Sequence, residues 1–474
     1  MLKGIKDLPG PTGLPLVGTM FDLDLPILHQ QIEQWADTYG DVFRLDLPIK
    51  NQMVVTRPSM IQAISADRPE GFVRAKKMNT ILQEGGVHGV FNAEGEEWRI
   101  HRSLVTKGLD VKHQKQFFPH LVSTIERLFE KWKKDAVSGE PFSIQQDLLR
   151  FTVDVSVWLA FGYEINTLEQ KGGVIQDHME KIFPTLFKRI NDPIPWYRII
   201  RSRESREFDN AVLEINKLVD KFITDAKSKI EQDPELKEHP SNLIQAILVA
   251  SETESKIGPK EVRGDLLTLL MAGEDTTAHT LNWMIFELAS LPDIQRSIRK
   301  ELDEVLLNDE YIKEYTLNSK LKYIEAVTNE SLRFRPVAPI ILHEAIRDTV
   351  IEGYEIKSGQ MILTQHRHSA LNDKYFTNAK SFQPERWLKE SRCPVHNTDA
   401  FTPFGSGPRY CPGRNLAILE IKNVIAMLFK NFEVELVTPA NDVKEIMAFT
   451  MMASEFKVRL KKKKGGRNLP TNLN

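Results

Sequence analysis

A mainly α fold with small β-sheets is what this sequence predicts, and three observations lead to it. Apolar residues recur at every third or fourth position in 115–139, 147–161 and 208–230, which is the spacing of amphipathic helices. A further stretch, 264–291, has a pattern that fits one long and largely buried helix. Alternating apolar residues, which indicate strands, are confined to short segments.

One domain is predicted over 1–474. The length alone would allow about three domains, but the 25 prolines are scattered and no linker rich in Gly, Ser or Pro divides the chain. The predicted helical core spans about 96–335 and 414–430, and the predicted β-rich parts span about 40–60, 340–365 and 431–460. A basic segment, 461–474, is predicted to be a disordered tail.

Charge and cysteine content exclude several classes of function. The chain carries 63 basic and 65 acidic residues, so no global charge recruits nucleic acid or an anionic membrane. Its two cysteines, Cys393 and Cys411, fit a reducing compartment. The apolar stretches are too short to span a bilayer. We therefore expect a soluble, cytoplasmic protein without a transmembrane anchor, and a monomer.

Short strands are predicted at both ends of the chain. The segments 42–47 and 53–56 alternate between apolar and polar residues on either side of a turn, as in a hairpin. Further alternation marks 340–365, 432–436 and 456–460. These segments predict the small sheets.

The segments between the first strands and the long helices predict a loop, a helix and a second loop. The segment 72–95 is rich in glycine and predicts a long loop, a feature that is often functional in compact domains. The segment 96–104 is predicted to be a helix with Trp98 and Arg102 on one face. In 182–197, aromatic residues mix with prolines, which fits either a mobile lid over an apolar pocket or a surface loop with buried anchors.

An irregular sequence lies in the middle of the long buried helix: Ala272-Gly273-Glu274-Asp275-Thr276-Thr277. One Gly and two Thr are poor choices for a helix interior, costing roughly 0.5 to 1 kcal/mol each relative to Ala. Such a departure in a regular element is where function is expected. A Thr hydroxyl could bond back to the preceding turn and open the helix, leaving room for a diatomic ligand. The alternative is a glycine for close helix packing beside solvated acids.

Charged and imidazole side chains stand out in the last third of the chain. Glu330 and Arg333 lie three apart on a predicted helix, close enough to pair, although an exposed pair of this kind contributes little. A second Arg, Arg386, follows in Phe382-x-Pro384-Glu385-Arg386-Trp387. His366 and His368 could suggest a metal site, but two histidines in alternation are more often solvated or packed.

The segment Phe404-Gly405-Ser406-Gly407-Pro408-Arg409-Tyr410-Cys411-Pro412-Gly413 predicts a site for a metal-bound thiolate. Gly405 and Gly407 permit turns that other residues avoid, and Gly413 allows a flat ligand to approach the main chain. The predicted helix after it places backbone N–H groups and a helix dipole near Cys411, which stabilise an anionic sulfur. A soft thiolate suits iron, and Arg409 could meet a ligand carboxylate. The alternative is an inert buried thiol in a common Gly/Pro-rich turn.

This ten-residue frame resembles the heme-binding signature of the cytochrome P-450 superfamily. Three other motifs match in the family's order: the Trp98/Arg102 helix, the Ala272–Thr277 segment and the Glu330/Arg333 helix with its Arg386 loop. The resemblance covers nearly the whole chain. It implies a triangular, helix-rich domain with heme between a long central helix and the loop that carries the Cys ligand.

The resemblance also implies roles for individual residues. Cys411 would be the axial thiolate ligand of heme iron, with Phe404 beside the sulfur. Arg409, Trp98 and Arg102 would contact the heme propionates, and a protonated His343 could take the place of the arginine that many relatives have there. Asp275 and Thr276 would supply protons. The remaining implied site residues are Ala272 and Gly273 facing the heme, Gly413 beside it, Glu330, Arg333 and Arg386 in a proximal charge network, and Val87, Val90, Val337, Ala338, Ile340 and Met451 around the substrate.

The implied function is a heme-thiolate monooxygenase that contains heme b, inserts one oxygen atom of dioxygen into an apolar substrate and reduces the other to water. Steroids, terpenes, fatty acids and xenobiotics all fit. The alternatives are an enzyme that uses peroxide or rearranges an oxidised substrate, and a heme-based sensor without turnover. Members of the peroxide-using kind commonly lack the pair that matches Asp275 and Thr276.

A separate electron donor is expected, such as a ferredoxin, a flavodoxin or a reductase. About sixty residues follow the Cys411 segment, and they contain no Gly-rich nucleotide turn and no cysteine cluster, so no fused reductase is expected. Basic residues that could attract an acidic donor are Arg99, Arg102, Lys107, Lys112, Lys115 and Arg414.

Overall fold

The helices confirm the mainly α fold class. The computed structural model describes residues 2–48, 51–170, 174–192, 195–253, 258–388 and 396–463. Its α-helices are α1 (Leu28–Tyr39), α2 (Pro58–Ala66), α3 (Lys76–Glu84), α4 (Gly95–Gly108), α5 (Val111–Ser138), α6 (Ile144–Phe161), α7 (Val174–Asn191), α8 (Arg203–Gln232), α9 (Glu235–Glu238), α10 (Leu243–Thr253), α11 (Pro259–Ala289), α12 (Pro292–Leu306), α13 (Lys322–Phe334), α14 (Arg367–Ala370) and α15 (Arg414–Asn431).

The strands form one five-stranded sheet and three pairs. They are β1 (Val42–Leu45), β2 (Gln52–Val55), β3 (Phe72–Arg74), β4 (Ile340–Ala345), β5 (Thr349–Ile351), β6 (Tyr354–Ile356), β7 (Met361–Gln365), β8 (Phe432–Leu436), β9 (Glu445–Met447), β10 (Met451–Ala453) and β11 (Val458–Lys462). The larger sheet has the order β1-β2-β7-β4-β3, with β2 and β7 parallel. The pairs are β5 with β6, β8 with β11 and β9 with β10, all antiparallel.

Local sequence signals set several helix ends. The Asp110 side chain accepts a hydrogen bond from the backbone N–H of His113 and caps α5, and Ser202 caps α8 in the same way. Gly139 and Gly162 end α5 and α6 with positive φ values of 67° and 70°, a conformation that costs glycine nothing. These boundaries follow from residue types adjacent in the chain.

The core lies along α11, which is covered by packed helices. Helix α6 runs beside it, and two large apolar clusters meet there, one built on α5, α12, α13 and α15 and the other on α7, α8 and α10. Gly264 allows the closest approach, because a Cβ atom at this position would lie 1.7 Å from the His88 carbonyl oxygen. A helix buried along most of its length lacks the continuous polar face that surface helices keep.

Three local predictions were wrong. The segment 72–95 is not one loop, because it contains β3 and α3. The segment 182–197 is helical as far as Asn191, with Pro184 inside α7. Burial of Ile182 and Leu186 in the cluster shared with α8 outweighs the local cost of that proline. The predicted tail begins too early, since Lys461 and Lys462 belong to β11, and 464–474 lie outside the described residues.

Candidate functional site

The Cys411 loop is a tight turn whose glycines are required. Gly405 and Gly407 have φ values of 73° and 67°, and a Cβ atom on Gly407 would lie 2.3 Å from the carbonyl oxygen of Ser65 in α2. The backbone N–H of Cys411 donates to the carbonyl oxygen of Phe404 at 2.8 Å. The loop therefore presents the Cys411 side chain just before α15, as the sequence predicts.

Opposing effects act on the Cys411 thiol, which is free and half-buried. Burial raises its pKa, whereas the backbone N–H groups of Gly413 and Arg414 and the charge of Arg102 act to lower it. Burial prevails, so the proton stays on sulfur until a metal ion displaces it. The convergent N–H groups expected at the start of this helix are present, but by themselves they do not make a thiolate.

Four arginines from separate segments collect beside this loop: Arg68, Arg74, Arg102 and Arg409. Glu94 lies among them, with Oε2 2.8 Å from Arg409 Nη2 and Oε1 3.7 Å from Arg68 Nη2. The pKa of Arg74 is lowered to about 9, chiefly by burial and also by the neighbouring Arg68 and Arg409, whereas Glu94 acts to raise it. Burial likewise lowers the pKa of Arg409 to about 10. One carboxylate does not balance four guanidinium groups, so this site favours an anionic ligand.

Buried donors without acceptors test whether a heme would fit. Among the described residues, no hydrogen-bond partner is found for Arg68 Nε and Nη2, Arg102 Nη2 or Arg409 Nε. Buried N–H groups of this kind are costly unless an acceptor completes them. Two carboxylates of a flat ligand held by Cys411 would supply such acceptors. Arg409 also lies 4.8 Å from the centroid of the Trp98 ring, which joins both expected heme contacts in one cluster.

His343 occupies the sheet next to this cluster, but not in the protonated form that the sequence suggested. In the β3–β4 register it stands opposite Arg74. Burial lowers the pKa of His343 well below its ordinary value, and Arg68 and other nearby cations lower it further. A neutral ring donates through one nitrogen at most. The positive charge expected here from His343 is therefore carried by the neighbouring Arg68 and Arg74.

The central part of α11 turns one face toward open space. Ala272 is exposed although Met271 and Glu274 beside it are buried, and Thr276 stands one turn later on the same face. The Thr276 hydroxyl donates to the Ala272 carbonyl oxygen at 2.7 Å, yet α11 is continuous, so the predicted opening of the helix is not seen. Gly273 does not share this face, because a Cβ atom there would lie 2.5 Å from Ser156 Oγ in α6. Close helix packing accounts for that glycine.

Asp275 is bound on two sides. Its Oδ1 lies 2.8 Å from His279 Nε2, and its Oδ2 accepts a hydrogen bond from the Thr450 hydroxyl at 2.5 Å. Burial acts to raise the pKa of Asp275, but the hydrogen bond and charge of His279, together with Thr450, hold it below its ordinary value. The side chain is therefore a carboxylate tied to the turn between β9 and β10.

The predicted charge network is present and buried. Glu330 accepts two hydrogen bonds from Arg333, at 2.9 and 2.8 Å, and one from Arg386 at 3.1 Å. The Trp387 indole N–H and the Gln383 backbone N–H complete the carboxylate at 2.9 and 2.7 Å. Arg333 also donates to the carbonyl oxygens of Ala370 and Ala379. The network thus joins α13 to the segment that precedes the Cys411 loop.

The residues expected around the substrate are placed differently from one another. Ala338 is exposed, whereas Val87, Val90 and Val337 are buried. The expected substrate contacts of Met451 and Ile340 are corrected by the structure. The Met451 sulfur is fully buried and lies 3.6 Å from Arg367 Nη1. Ile340 packs against the cluster that includes α1. Met451 thus belongs to the main apolar core, and the half-buried Ile340 packs against a smaller apolar cluster.

Three aromatic side chains, none of them predicted individually as a site residue, meet against the apolar cluster that includes α7, α8 and α10. The Phe449 ring centroid lies 6.5 Å from that of Phe91 and 5.8 Å from that of Phe183. They come from the loop before α4, from α7 and from the β9–β10 turn. Rings at these separations attract each other in tilted arrangements. No local pattern links positions so far apart in the chain.

The basic residues near α4 differ in availability. Arg99 pairs with Glu70 and Glu96 and is largely neutralised. Arg102 donates to the Tyr410 carbonyl oxygen at 2.6 Å, so its side chain is hydrogen-bonded to the Cys411 loop and is not free on the surface. Besides Arg99, the exposed basic residues of this group are Lys107, Lys112, Lys115 and Arg414. A surface hollow of about 540 Å³ runs along α4 past Trp98, Arg102 and Lys107.

The rings of His366 and His368 contact different residues. His366 contacts the hydroxyls of Thr364 and Thr402, and burial lowers its pKa to about 4. His368 pairs with Asp37 at 2.8 Å. Within the described ranges, no group of three or more His, Cys, Asp or Glu side chains is arranged to hold a metal ion. Both histidines are therefore explained by packing and hydrogen bonding.

Several residues of the site were missed from the sequence: Arg68, Arg74, Glu94, His279 and Thr450. Arg68 lies in the turn after α2 and Arg74 ends the short strand β3, neither within a recognisable motif, and Thr450 is distant in sequence from the acid that it binds. His279 alone carried a local signal, because it stands four residues after Asp275 on a helix.

In the described part of the chain, no helix is both long enough and apolar enough to span a bilayer.

Comparisons with known proteins agree with this geometry. The model of the family Cytochrome P450 matches residues 8–460. Human cytochrome P450 3A7 is 26% identical over 449 residues, which cover 90% of this chain and 85% of that protein. LUTEIN DEFICIENT 5 of Arabidopsis thaliana is 28% identical over 438 residues, covering 88% of this chain and 71% of that protein. A bifunctional cytochrome P450/NADPH--P450 reductase of Bacillus cereus is 28% identical over 497 residues, covering all of this chain and 44% of that protein. The chain therefore belongs to the cytochrome P450 family, the heme-containing monooxygenases that use dioxygen and electrons from a redox partner.

Proposed function

We propose that this chain binds heme b through Cys411 and inserts one oxygen atom of dioxygen into an apolar organic substrate, with electrons from a separate donor. The observation that carries the proposal is the cluster of buried guanidinium donors beside the Cys411 thiol, for which the described residues supply no acceptor. A cytoplasmic location is proposed with it, because a reducing compartment keeps Cys411 available as a metal ligand.

The proposed mechanism divides the work among the residues of this site. When bound, the heme supplies the iron at which dioxygen is reduced, and a thiolate ligand favours cleavage of the O–O bond. Cys411 would hold the iron as a thiolate after losing its proton, and Arg68, Arg102 and Arg409 would hold the two propionates. Asp275 and Thr276 hold and pass protons at their carboxylate and hydroxyl oxygens.

The proposed substrate is an apolar molecule held between α11 and the aromatic cluster of Phe91, Phe183 and Phe449. Apolar and aromatic walls with few polar groups suit such a ligand. A binding panel of testosterone, limonene, dodecanoic acid and naphthalene, read from the shift of the heme Soret band, tests this class. Electron consumption that depends on the bound compound supports a monooxygenase. Turnover with peroxide and without reductant would instead indicate a peroxide-using enzyme.

Thr276→Ala is expected to leave heme and substrate binding intact while diverting electrons from product to hydrogen peroxide. Because the hydroxyl is assigned to proton delivery, we expect product per electron to fall by about tenfold or more. The measurement is the ratio of peroxide to product at saturating panel compound. Thr268→Ala is the matched control, since Thr268 makes the same bond to the preceding turn of α11, to Gly264 at 2.7 Å. Equal ratios in Thr276→Ala and wild type would remove Thr276 from the mechanism.

Docking of an acidic electron donor on the surface formed by the end of α4 and the start of α5 is proposed from the exposed lysines Lys107 and Lys112. Reversing both to Glu is expected to slow reduction by a ferredoxin or flavodoxin by about tenfold at low salt, because steering by charge is lost. The dependence on ionic strength should flatten, and substrate binding should not change. The control reverses Lys221 and Lys227, which are exposed on α8. This docking face would be ruled out if the reduction rate is the same in wild type and in the Lys107/Lys112 reversal and does not change with ionic strength.

A further inference from the structure

The carboxylate of Asp275 has both oxygen atoms occupied by residues outside the proposed proton pathway. His279 holds Oδ1 at 2.8 Å and Thr450 holds Oδ2 at 2.5 Å. The Thr276 hydroxyl, meanwhile, donates to the Ala272 carbonyl oxygen. In this arrangement the acid and the alcohol do not bond to each other. Passing a proton to Thr276 therefore requires Asp275 to be released from at least one partner.

Thr450 belongs to the segment that bounds the aromatic cluster. It lies in the turn between β9 and β10, where the Ala448 N–H donates to the Thr450 carbonyl oxygen at 3.0 Å. The preceding residue, Phe449, contacts Phe91 and Phe183 through its ring. The following residue, Met451, donates its backbone N–H to Val337 at 2.8 Å. A ligand that displaces the Phe449 ring therefore acts on the residue that bonds to Asp275.

The His279 side chain is buried on α11 with one ring nitrogen unfavourably placed. Its side chain is 7% exposed, and its Nδ1 atom is buried without a hydrogen-bond partner in the part of the chain that the structure describes. A buried polar atom without a partner is unfavourable. The contact that compensates for it is the one from Nε2 to Asp275. This pairing is local to one helix face, since the two residues stand four apart.

We propose that His279 and Thr450 are positioning residues that hold the Asp275 carboxylate, and that Thr450 makes its release depend on how a bound substrate places the 448–451 turn. The inference rests on the proton-delivery role proposed above for Asp275. As long as Phe449 keeps its place against Phe91 and Phe183, Asp275 stays bound on both sides. A substrate that shifts Phe449 loosens the bond from Thr450 and frees one carboxylate oxygen to take a proton and turn toward Thr276. Proton supply thereby follows substrate occupancy.

The experiment compares Thr450→Val, Thr450→Ser, Asp275→Asn and the double variant Asp275→Asn/Thr450→Val. Each heme-loaded protein receives the panel compound that shifts the wild-type Soret band most, and the peroxide formed per electron is measured. We expect Thr450→Val to change this share by about threefold or more, and Thr450→Ser to restore it by keeping the hydroxyl. Because Thr450 acts through Asp275, adding Thr450→Val to Asp275→Asn should change nothing further.

A second readout does not depend on turnover. Hydrogen exchange of the 445–453 backbone amides, measured without reductant, should be about threefold faster in Thr450→Val than in wild type and unchanged in Thr450→Ser. His279→Leu tests the other contact and should also be non-additive with Asp275→Asn, which keeps the proposal testable if Thr450→Val folds poorly.

The outcomes separate this inference from the function on which it rests. If Asp275→Asn changes the peroxide share but Thr450→Val and His279→Leu do not, the positioning role is wrong and the proton role of Asp275 stands. Additive effects in the double variant would likewise overturn it. If Asp275→Asn itself matches wild type, the proton role fails and this inference fails with it.

Discussion

Cys411→His is expected to abolish monooxygenase turnover. Imidazole is a neutral ligand and does not donate electron density as a thiolate does. A loss of about 2.7 kcal/mol in transition-state stabilisation already lowers the rate about a hundredfold, and we expect at least that. Product formation with the best panel compound measures the loss. The absorption band of the ferrous carbon monoxide complex measures the cause, because its red-shifted position reports thiolate ligation.

Cys393→Ser is the matched control for this experiment, since it removes the other cysteine of the chain. It should keep both the red-shifted band and the activity. If wild-type protein loaded with heme lacks the red-shifted band, Cys411 is not the ligand and the central proposal fails. If Cys393→Ser loses the red-shifted band, the thiolate ligand is Cys393 and not Cys411.

Glu330→Ala is expected to be the most destabilising single change at the proposed site. The substitution leaves the buried guanidinium groups of Arg333 and Arg386 without their shared carboxylate. Removing one partner of a buried ion pair costs about 3 to 5 kcal/mol. That is a large part of the roughly 5 to 15 kcal/mol by which domains are stable. Urea unfolding and the yield of heme-loaded protein are the measurements.

Glu304→Ala provides the comparison, because Glu304 is exposed on the neighbouring α12. Its free energy of unfolding should stay within about 0.5 kcal/mol of wild type. A normal yield of heme-loaded Glu330→Ala protein with an unchanged urea midpoint would contradict the structural role of the network. Glu330→Gln, which keeps the shape and loses the charge, should fall between the two.

The sequence by itself determined the fold class and the chemistry of the Cys411 loop. Helix periodicity is a local property, so α5, α6, α8 and α11 were predicted close to their observed bounds. The Gly405 and Gly407 turns, the thiol and the helix that follows are consecutive in the chain, and adjacent residues are constrained by the backbone itself. The same reason explains why the Glu330 and Arg333 pair was predicted correctly.

Tertiary structure alone decided what surrounds that chemistry. Arg68, Arg74 and Arg409 come from separate segments, and only packing brings their charges together. Burial and the resulting field lower the pKa of His343 well below its ordinary value, which its position in the sequence could not reveal.

Packing also decided the local exceptions. Pro184 sits inside α7 because burial of the helix face outweighs a local propensity. Thr450 reaches Asp275 across 175 positions of the chain. A contact of that span depends on how the β9–β10 turn packs on α11, and no periodicity or motif in the sequence encodes it.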